Sequence, residues 1–166
     1  MTTDEAPEGA AAAVPDDRLS ALLLAFRSLL LEHNRVVIHQ SEALSMGATD
    51  IRALAYLWSV HGDTTPKQVA EFLELSTGAT TSLVDRLVAS GSLVRLAHPT
   101  DRRSVLLRLT PEGIDAVTSL TEVYRGALAK AIPEGSYDEI AGVFRGIATA
   151  LGTASAPPPE TDHPAG

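Results

Sequence analysis

There is no cysteine among these 166 residues, and several chemistries fall away with it. Disulfides, thiolate zinc sites, cysteine nucleophiles and thiol-based redox sensing are excluded within the chain. Aromatic residues make up 4%, so a core has to be built from Leu, Val, Ile and Ala. No apolar run approaches the ~20 residues that a membrane span needs. The chain opens Thr2-Thr3-Asp4-Glu5, acidic where a secretory or transit peptide would be basic. A cytoplasmic protein that makes no use of a membrane is expected. A glycine-rich phosphate loop, a Gly-x-Ser-x-Gly elbow and a cleft-like pair of carboxylates are also missing, so an enzyme is not expected. His33 and His39 stand six residues apart on different faces of one helix, and the other histidines fall in loops or tails. No metal site or cofactor is expected.

A basic excess is lacking too. The net charge is −8, which at first argues against nucleic acid, because neutralising phosphate takes Lys and Arg. The distribution is uneven. Between Thr64 and Thr110 six basic residues (Lys67, Arg86, Arg95, Arg102, Arg103, Arg108) face four acids (Glu71, Glu74, Asp85, Asp101). That segment is +2 and the remainder of the chain −10. A basic island in an acidic protein fits a focused DNA footprint, but the charge alone decides nothing.

What is present is helical periodicity between two polar ends. Residues 1–16 are Ala-rich and acidic and read as a disordered tail; residues 154–166 hold four prolines and read as a second. Between them, residues 17–153 form the folded domain. Leu19, Leu22, Leu23, Phe26, Leu29, Leu30, Val36 and Val37 recur at three- and four-residue steps, giving a long first helix with a wide apolar stripe. After a break at Ser45-Met46-Gly47, a second helix carries Ile51, Leu54, Ala55, Leu57 and Trp58. Thr65-Pro66-Lys67-Gln68 has the form of a capping box with Pro in the first turn, opening a short third helix. Ser76 caps a fourth, with Thr80, Leu83, Val84, Leu87 and Val88 inward and Gly91 as its stop.

The period then changes. Leu93–His98 and Ser104–Leu109 read as two short strands joined through Pro99-Thr100-Asp101-Arg102-Arg103. Thr110-Pro111-Glu112 starts a fifth helix through Ile114, Val117, Leu120, Val123 and Leu128. Pro133-Glu134-Gly135 breaks it, and a sixth runs through Ile140, Val143, Phe144, Ile147 and Leu151. The fold class expected is mainly α with a small β-hairpin, in the order of four helices, two strands and two helices. The DNA-binding part falls at about 48–110 and dimerisation helices at about 17–44 and 110–152.

Two short helices with a tight turn, followed directly by a hairpin, form the layout of a winged helix-turn-helix. The fourth helix turns Thr77, Gly78, Thr81, Ser82 and Asp85 outward. Small hydroxyl side chains beside a glycine allow close approach to base edges, and the Ser76 end points backbone N–H groups at phosphate. At the hairpin tip, Asp101 can hold Arg103 extended, with Arg102 beside it, as suits a narrow minor groove. The apolar stripes of the first, fifth and sixth helices exceed what one such domain can cover, and a twofold dimer is the economical way to bury them.

The order and spacing of these pieces resemble the MarR family of transcription regulators, from Leu19 to about Leu151. The resemblance is carried by Thr65-Pro-Lys-Gln-Val-Ala-Glu-Phe-Leu-Glu-Leu-Ser76, by Leu83-Val-Asp-Arg-Leu87, and most specifically by Asp101-Arg-Arg-Ser-Val-Leu-Leu-Arg-Leu-Thr-Pro-Glu-Gly113. It implies a bacterial regulator, a homodimer of intertwined first, fifth and sixth helices, and a palindromic double-stranded DNA operator read by two copies of the fourth helix. Release by a small aromatic or phenolic ligand is implied as well. Carried over by position, base contacts come from Thr77, Gly78, Thr81 and Ser82, and the wing contact from Arg103 oriented by Asp101. Arg86 serves a phosphate or a salt bridge to the wing. Many relatives carry Arg where this chain has Ser82, so a guanine contact and a phosphate charge are missing here.

For a ligand, Arg27, His33, Tyr56 and Trp58 are the candidate pocket residues. The expected function is a ligand-responsive repressor. The alternative is a winged-helix module for protein assembly with no DNA role, which the net charge and Ser82 favour and the wing arginines oppose.

Overall fold

The computed structural model describes residues 18–101 and 104–154; both tails and the pair Arg102-Arg103 lie outside the described residues. Its helices are α1 (Arg18–Ala43), α2 (Ala48–Ser59), α3 (Pro66–Leu73), α4 (Thr77–Ala89), α5 (Pro111–Ala131) and α6 (Tyr137–Ala154), with strands β1 (Leu93–Ala97) and β2 (Val105–Leu109) between α4 and α5. The chain divides into two compact units, one running to Thr121 and the other from Glu122.

Local signals place the helix ends of the first unit. Thr65 Oγ1 accepts the Gln68 backbone N–H at 3.3 Å while Gln68 Oε1 accepts that of Thr65 at 2.9 Å, which closes the capping box of α3. Three residues separate α3 from α4, and the turn works because Glu74 takes a left-handed conformation at φ 54°. Ser76 then caps α4, its Oγ accepting the Ala79 N–H at 3.3 Å. Gly91, at φ 77°, ends the helix where a residue with a Cβ would be strained. The α2 start is unusual, because Gly47 has no side chain to cap with. Asp50, three residues on, accepts the Gly47 N–H at 3.1 Å instead.

β1 and β2 pair antiparallel with Leu93 opposite Leu109 and Ala97 opposite Val105. A further bridge, absent from the sequence reading, joins Thr64 to Leu107: Thr64 donates to the Leu107 carbonyl at 3.1 Å and accepts its N–H at 2.7 Å. A one-residue bridge has no period to read, so it becomes visible only in three dimensions.

The core lies where these pieces meet. Leu54 of α2, Val69 of α3, Leu83 and Leu87 of α4, Leu93 of β1 and Leu107 of β2 are each 1% exposed or less, and burial of side chains this size is worth about 1.5–3 kcal/mol apiece. Ala116 and Val117 on the first half of α5 close the cluster. Thr110 locks the hairpin to α5. Its hydroxyl donates to the Gly91 carbonyl at 2.6 Å and accepts the Gly113 N–H at 3.1 Å.

α1 contributes little to this core. It buries Val37 and Ser41, while Leu19, Leu22, Leu23, Leu29 and Leu30 remain 50–72% exposed. In the second unit a short 3₁₀ turn, Glu134–Ser136, leads into α6, which has no buried residue and exposes Val143, Phe144 and Leu151. α6 runs through Ala154, one residue past the expected domain boundary.

Candidate nucleic-acid interface

The inward face of α4 is made by Thr80, Leu83, Val84 and Leu87. Ser76, Thr77, Gly78, Thr81 and Ser82 are all exposed at its N-terminal half, and a Cβ placed on Gly78 would meet nothing within 4 Å. The predicted base-contact residues thus share one open surface. Thr81 has a more specific geometry than its residue type reveals. Its hydroxyl donates to the Thr77 carbonyl at 2.9 Å, so the proton is engaged by the helix itself. Towards a base the side chain offers an acceptor lone pair and a methyl group. A base edge with an amine donor or a thymine methyl suits that surface, whereas guanine N7 and O6, both acceptors, do not.

Ion pairs tie α4 into its surroundings. Asp85 accepts from Arg95 of β1 at 2.6 Å, and Arg86 donates to Asp50 of α2 at 2.7 Å. The expected salt bridge from Arg86 to the wing is therefore corrected: the wing tie belongs to Asp85, one residue earlier. Successive helix residues point 100° apart, which turns Asp85 to the hairpin and Arg86 to α2. The hydrogen bond to Asp50, aided by its charge, raises the Arg86 pKa further above its ordinary value. Arg108 of β2 grips Asp63 with both Nε (2.7 Å) and Nη2 (2.6 Å). These bonds hold the Asp63 carboxyl below its ordinary pKa against the opposing effect of burial, and they raise that of Arg108. Lys67 faces Glu71 at 3.7 Å. Among the described residues, every basic side chain of the Thr64–Thr110 island has an acidic neighbour.

At the wing, Asp101 is exposed and its carbonyl accepts the Ser104 N–H at 3.1 Å. Arg102 and Arg103 lie outside the described residues, and with them the expected Asp101–Arg103 hold. His98 was missed by sequence reasoning. Its Nδ1 accepts the Asp101 N–H at 3.1 Å and lies 3.4 Å from the Thr100 nitrogen, so it shapes the turn that leads to the arginines. A polar side chain three residues before a turn residue was the available signal.

The four candidate ligand residues do not converge. Arg27 and His33 sit exposed on α1. Tyr56 stacks on Phe72 of α3, ring centroids 4.1 Å apart and planes within 14°. Trp58 lines a groove of about 340 Å³ with His61, Asp63, Arg108, Leu109 and Ile114, and Arg27, His33 and Tyr56 do not line it. Neighbouring positions along α2 and α1 pointed to one cavity because sequence proximity was the sole guide; α3 claims Tyr56 instead. Among the described residues no group of three His, Asp or Glu side chains is placed to hold a metal, and no helix is long and apolar enough to cross a membrane.

Comparison with known proteins adds to this geometry. The family model described as the MarR family matches residues 44–104, the stretch from the end of α1 to the wing tip. The multiple antibiotic resistance protein MarR of Salmonella typhimurium is 34% identical over 80 residues, 48% of this chain and 55% of that protein. The chain thus spans little more than half the length of that relative. YkoM of Bacillus subtilis, an uncharacterized HTH-type transcriptional regulator, is 30% identical over 115 residues, 69% of this chain and 71% of the relative. Among solved structures, S. aureus MepR in its DNA-binding conformation superposes with a TM-score of 0.62 at 19% identity, over 78% of this chain and 98% of MepR. The S. aureus MepR–DNA complex gives 0.55 at 17% identity, over 77% and 98%. At these identities the structures establish a shared fold, that of a winged helix-turn-helix.

Proposed function

The chain belongs to the MarR family of transcription regulators, and from that premise we propose that it is a cytoplasmic repressor that binds a palindromic DNA operator as a homodimer and lets go when a small ligand binds. The observation that carries the reading is α4. A capped 13-residue helix presents a face of small hydroxyl residues, Thr77, Thr81 and Ser82 around an unobstructed Gly78, with a hairpin tied beside it through Asp85 and Arg95. A helix whose exposed side served solubility alone would be expected to carry Lys and Glu there. The Ser76 end supplies N–H groups for a phosphate, and Arg102 and Arg103 belong to the wing contact by their place in the sequence.

A second copy covers the leucine stripe of α1 and, separately, the apolar residues of α6, which are too extensive to stand in water. Two α4 helices then address half-sites about one helical turn apart. The ligand is a small aromatic or phenolic molecule. Of the four candidate residues, Trp58 has the best claim, because its groove also offers the His61 ring and the Arg108 guanidinium at the base of the wing.

One observation favours a second reading, a protein-assembly module: the described basic side chains of the island are all paired with acids. Gel-shift titration of the full chain against the DNA upstream of its own gene, at two salt concentrations, separates the two. A regulator gives saturable, sequence-preferring binding that weakens steeply with salt. Absence of any shift at low salt from a folded dimer supports the assembly module instead.

A further inference from the structure

We propose that Asp50 is a positioning residue for DNA binding: from its buried place in α2 it holds the Arg86 guanidinium on the flank of α4, where the remaining N–H groups take a backbone phosphate. The proposal rests on the regulator reading above and extends it to a residue outside the helix-turn-helix face.

Asp50 is a carboxylate with both oxygens assigned. Oδ2 caps α2 through the Gly47 N–H at 3.1 Å, and Oδ1 accepts from Arg86 Nη2 at 2.7 Å across 36 residues of sequence. Its side chain is 9% exposed, that of Arg86 56%. The buried end of this pair is therefore fixed by α2 and the exposed end is offered to solvent. A capping residue alone would leave its second oxygen to water; here that oxygen is turned to α4. Arg carries five N–H donors in a planar fork; one nitrogen, Nη2, faces Asp50, and the side chain is more than half exposed, so donors remain for a phosphate. Along α4, Arg86 follows Ser82 by one turn, so the two share a side of the helix. Base-contact residues occupy the middle of that surface and Arg86 its edge, the place of a phosphate contact that positions without specifying. Arg86 is the one Lys or Arg of α4.

Charge and positioning predict opposite signs for one substitution. Removing the Asp50 charge makes the protein less acidic, and electrostatics alone then strengthens binding to a polyanion. If Asp50 acts by holding Arg86, Asp50→Asn weakens binding. Asn retains an oxygen to accept the Gly47 N–H, so the cap of α2 is preserved; circular dichroism and thermal melting of each variant check the fold.

The experiment uses the full chain and a duplex selected by it from a random-sequence pool. Affinities of wild type, Asp50→Asn, Arg86→Ala and the double variant are measured over a series of salt concentrations. Expected are an Arg86→Ala loss of about tenfold with the log–log salt slope shallower by roughly 0.9, the value of one phosphate. Asp50→Asn loses about threefold, the modest effect expected when a half-exposed Arg86 keeps its charge and loses only its anchor, and adds nothing once Arg86 is absent. Tighter binding by Asp50→Asn, or a loss that persists in the Arg86→Ala background, overturns the positioning role. An unchanged slope in Arg86→Ala overturns the phosphate contact. Failure of wild type to select any duplex overturns the regulator reading itself, and the proposal falls with it.

Discussion

Gly113 lies so close to Ser92 that a Cβ built on the glycine would stand 2.2 Å from the Ser92 carbonyl oxygen. That oxygen is not free to move, since it accepts the Thr110 N–H at 3.1 Å. The string Leu109-Thr110-Pro111-Glu112-Gly113 is thus a clasp between the hairpin and α5. Thr110 ties to Gly91 and caps the helix, Pro111 presets its first turn, and Gly113 leaves room for the opposing backbone.

Gly113→Ala is accordingly expected to destabilise the protein although Ala is the better helix former. Helix propensity favours Ala by about 1 kcal/mol, whereas forcing a methyl into a packed site costs about 1–3 kcal/mol and more when backbone must shift. The two figures leave a net loss of about 0–2 kcal/mol, expected at the upper end because the atom in the way is a hydrogen-bonded backbone oxygen; it is read from urea midpoints at fixed protein concentration. A variant as stable as wild type would mean that Ser92 and α5 are not held this close.

The Asp63–Arg108 pair gives a pH signature. Asp63 has its pKa lowered in the folded chain from an ordinary 3.8, so the stabilisation it supplies is complete above that value. It is lost as pH falls through the lower folded-state pKa. Asp63→Asn should therefore be less stable than wild type at pH 7, with the gap closing as pH is taken from 4 towards 2. The gap is small, because the pair is largely solvated, and added salt narrows it. Urea midpoints across that pH series check it; a gap that stays constant to low pH assigns the loss to something other than charge.

How far the sequence carried this picture differs by element. Thr65, Pro66, Gln68 and Ser76 announce α3 and α4 because capping is a local matter, decided within four residues. The change from helical period to strand at Leu93 is equally local. Partners distant in sequence were not legible. Asp50 and Arg86 are 36 residues apart, and which way Arg86 turns depends on where α2 packs against α4. Tyr56 was placed with Trp58 by proximity along one helix, yet its ring stacks on Phe72 from α3. Thr81 is recognisably outward from its spacing, but the hydrogen bond that engages its proton depends on a rotamer no pattern encodes.

The α1 stripe predicts a clean separation of folding from assembly. Leu22 and Leu29 are seven residues apart, on the same side of α1, and both are more than half exposed, so neither supports the core of its own protomer. The double variant Leu22→Glu, Leu29→Glu is expected to keep its helical circular dichroism and to run as a monomer by light scattering. Loss of the second half-site then costs roughly a hundredfold in affinity for a palindromic duplex. A variant that stays dimeric would show that other surfaces hold the two copies together.

The last prediction concerns what α4 reads. With its hydroxyl proton bound to the Thr77 carbonyl, Thr81 meets DNA with a methyl group and an acceptor. Thr81→Ser removes the methyl and keeps the hydroxyl, while Thr81→Val keeps the methyls and removes the acceptor. If the contact is to a thymine methyl, Thr81→Ser and replacement of that thymine by deoxyuridine each weaken binding about fourfold, equivalent to the ~0.8 kcal/mol of one buried methyl-sized group. Combined, they weaken it no further, because each removes one side of the same contact. Thr81→Val should discriminate thymine from uracil as wild type does. Replacing guanines of the half-site by 7-deazaguanine should leave affinity unchanged, since the long donor of the helix, Arg86, is assigned to a backbone phosphate and not to N7. Sensitivity to 7-deazaguanine together with indifference to deoxyuridine would invert the assignment, and would place base recognition on a donor such as Ser82 or Arg86 instead of the Thr81 methyl.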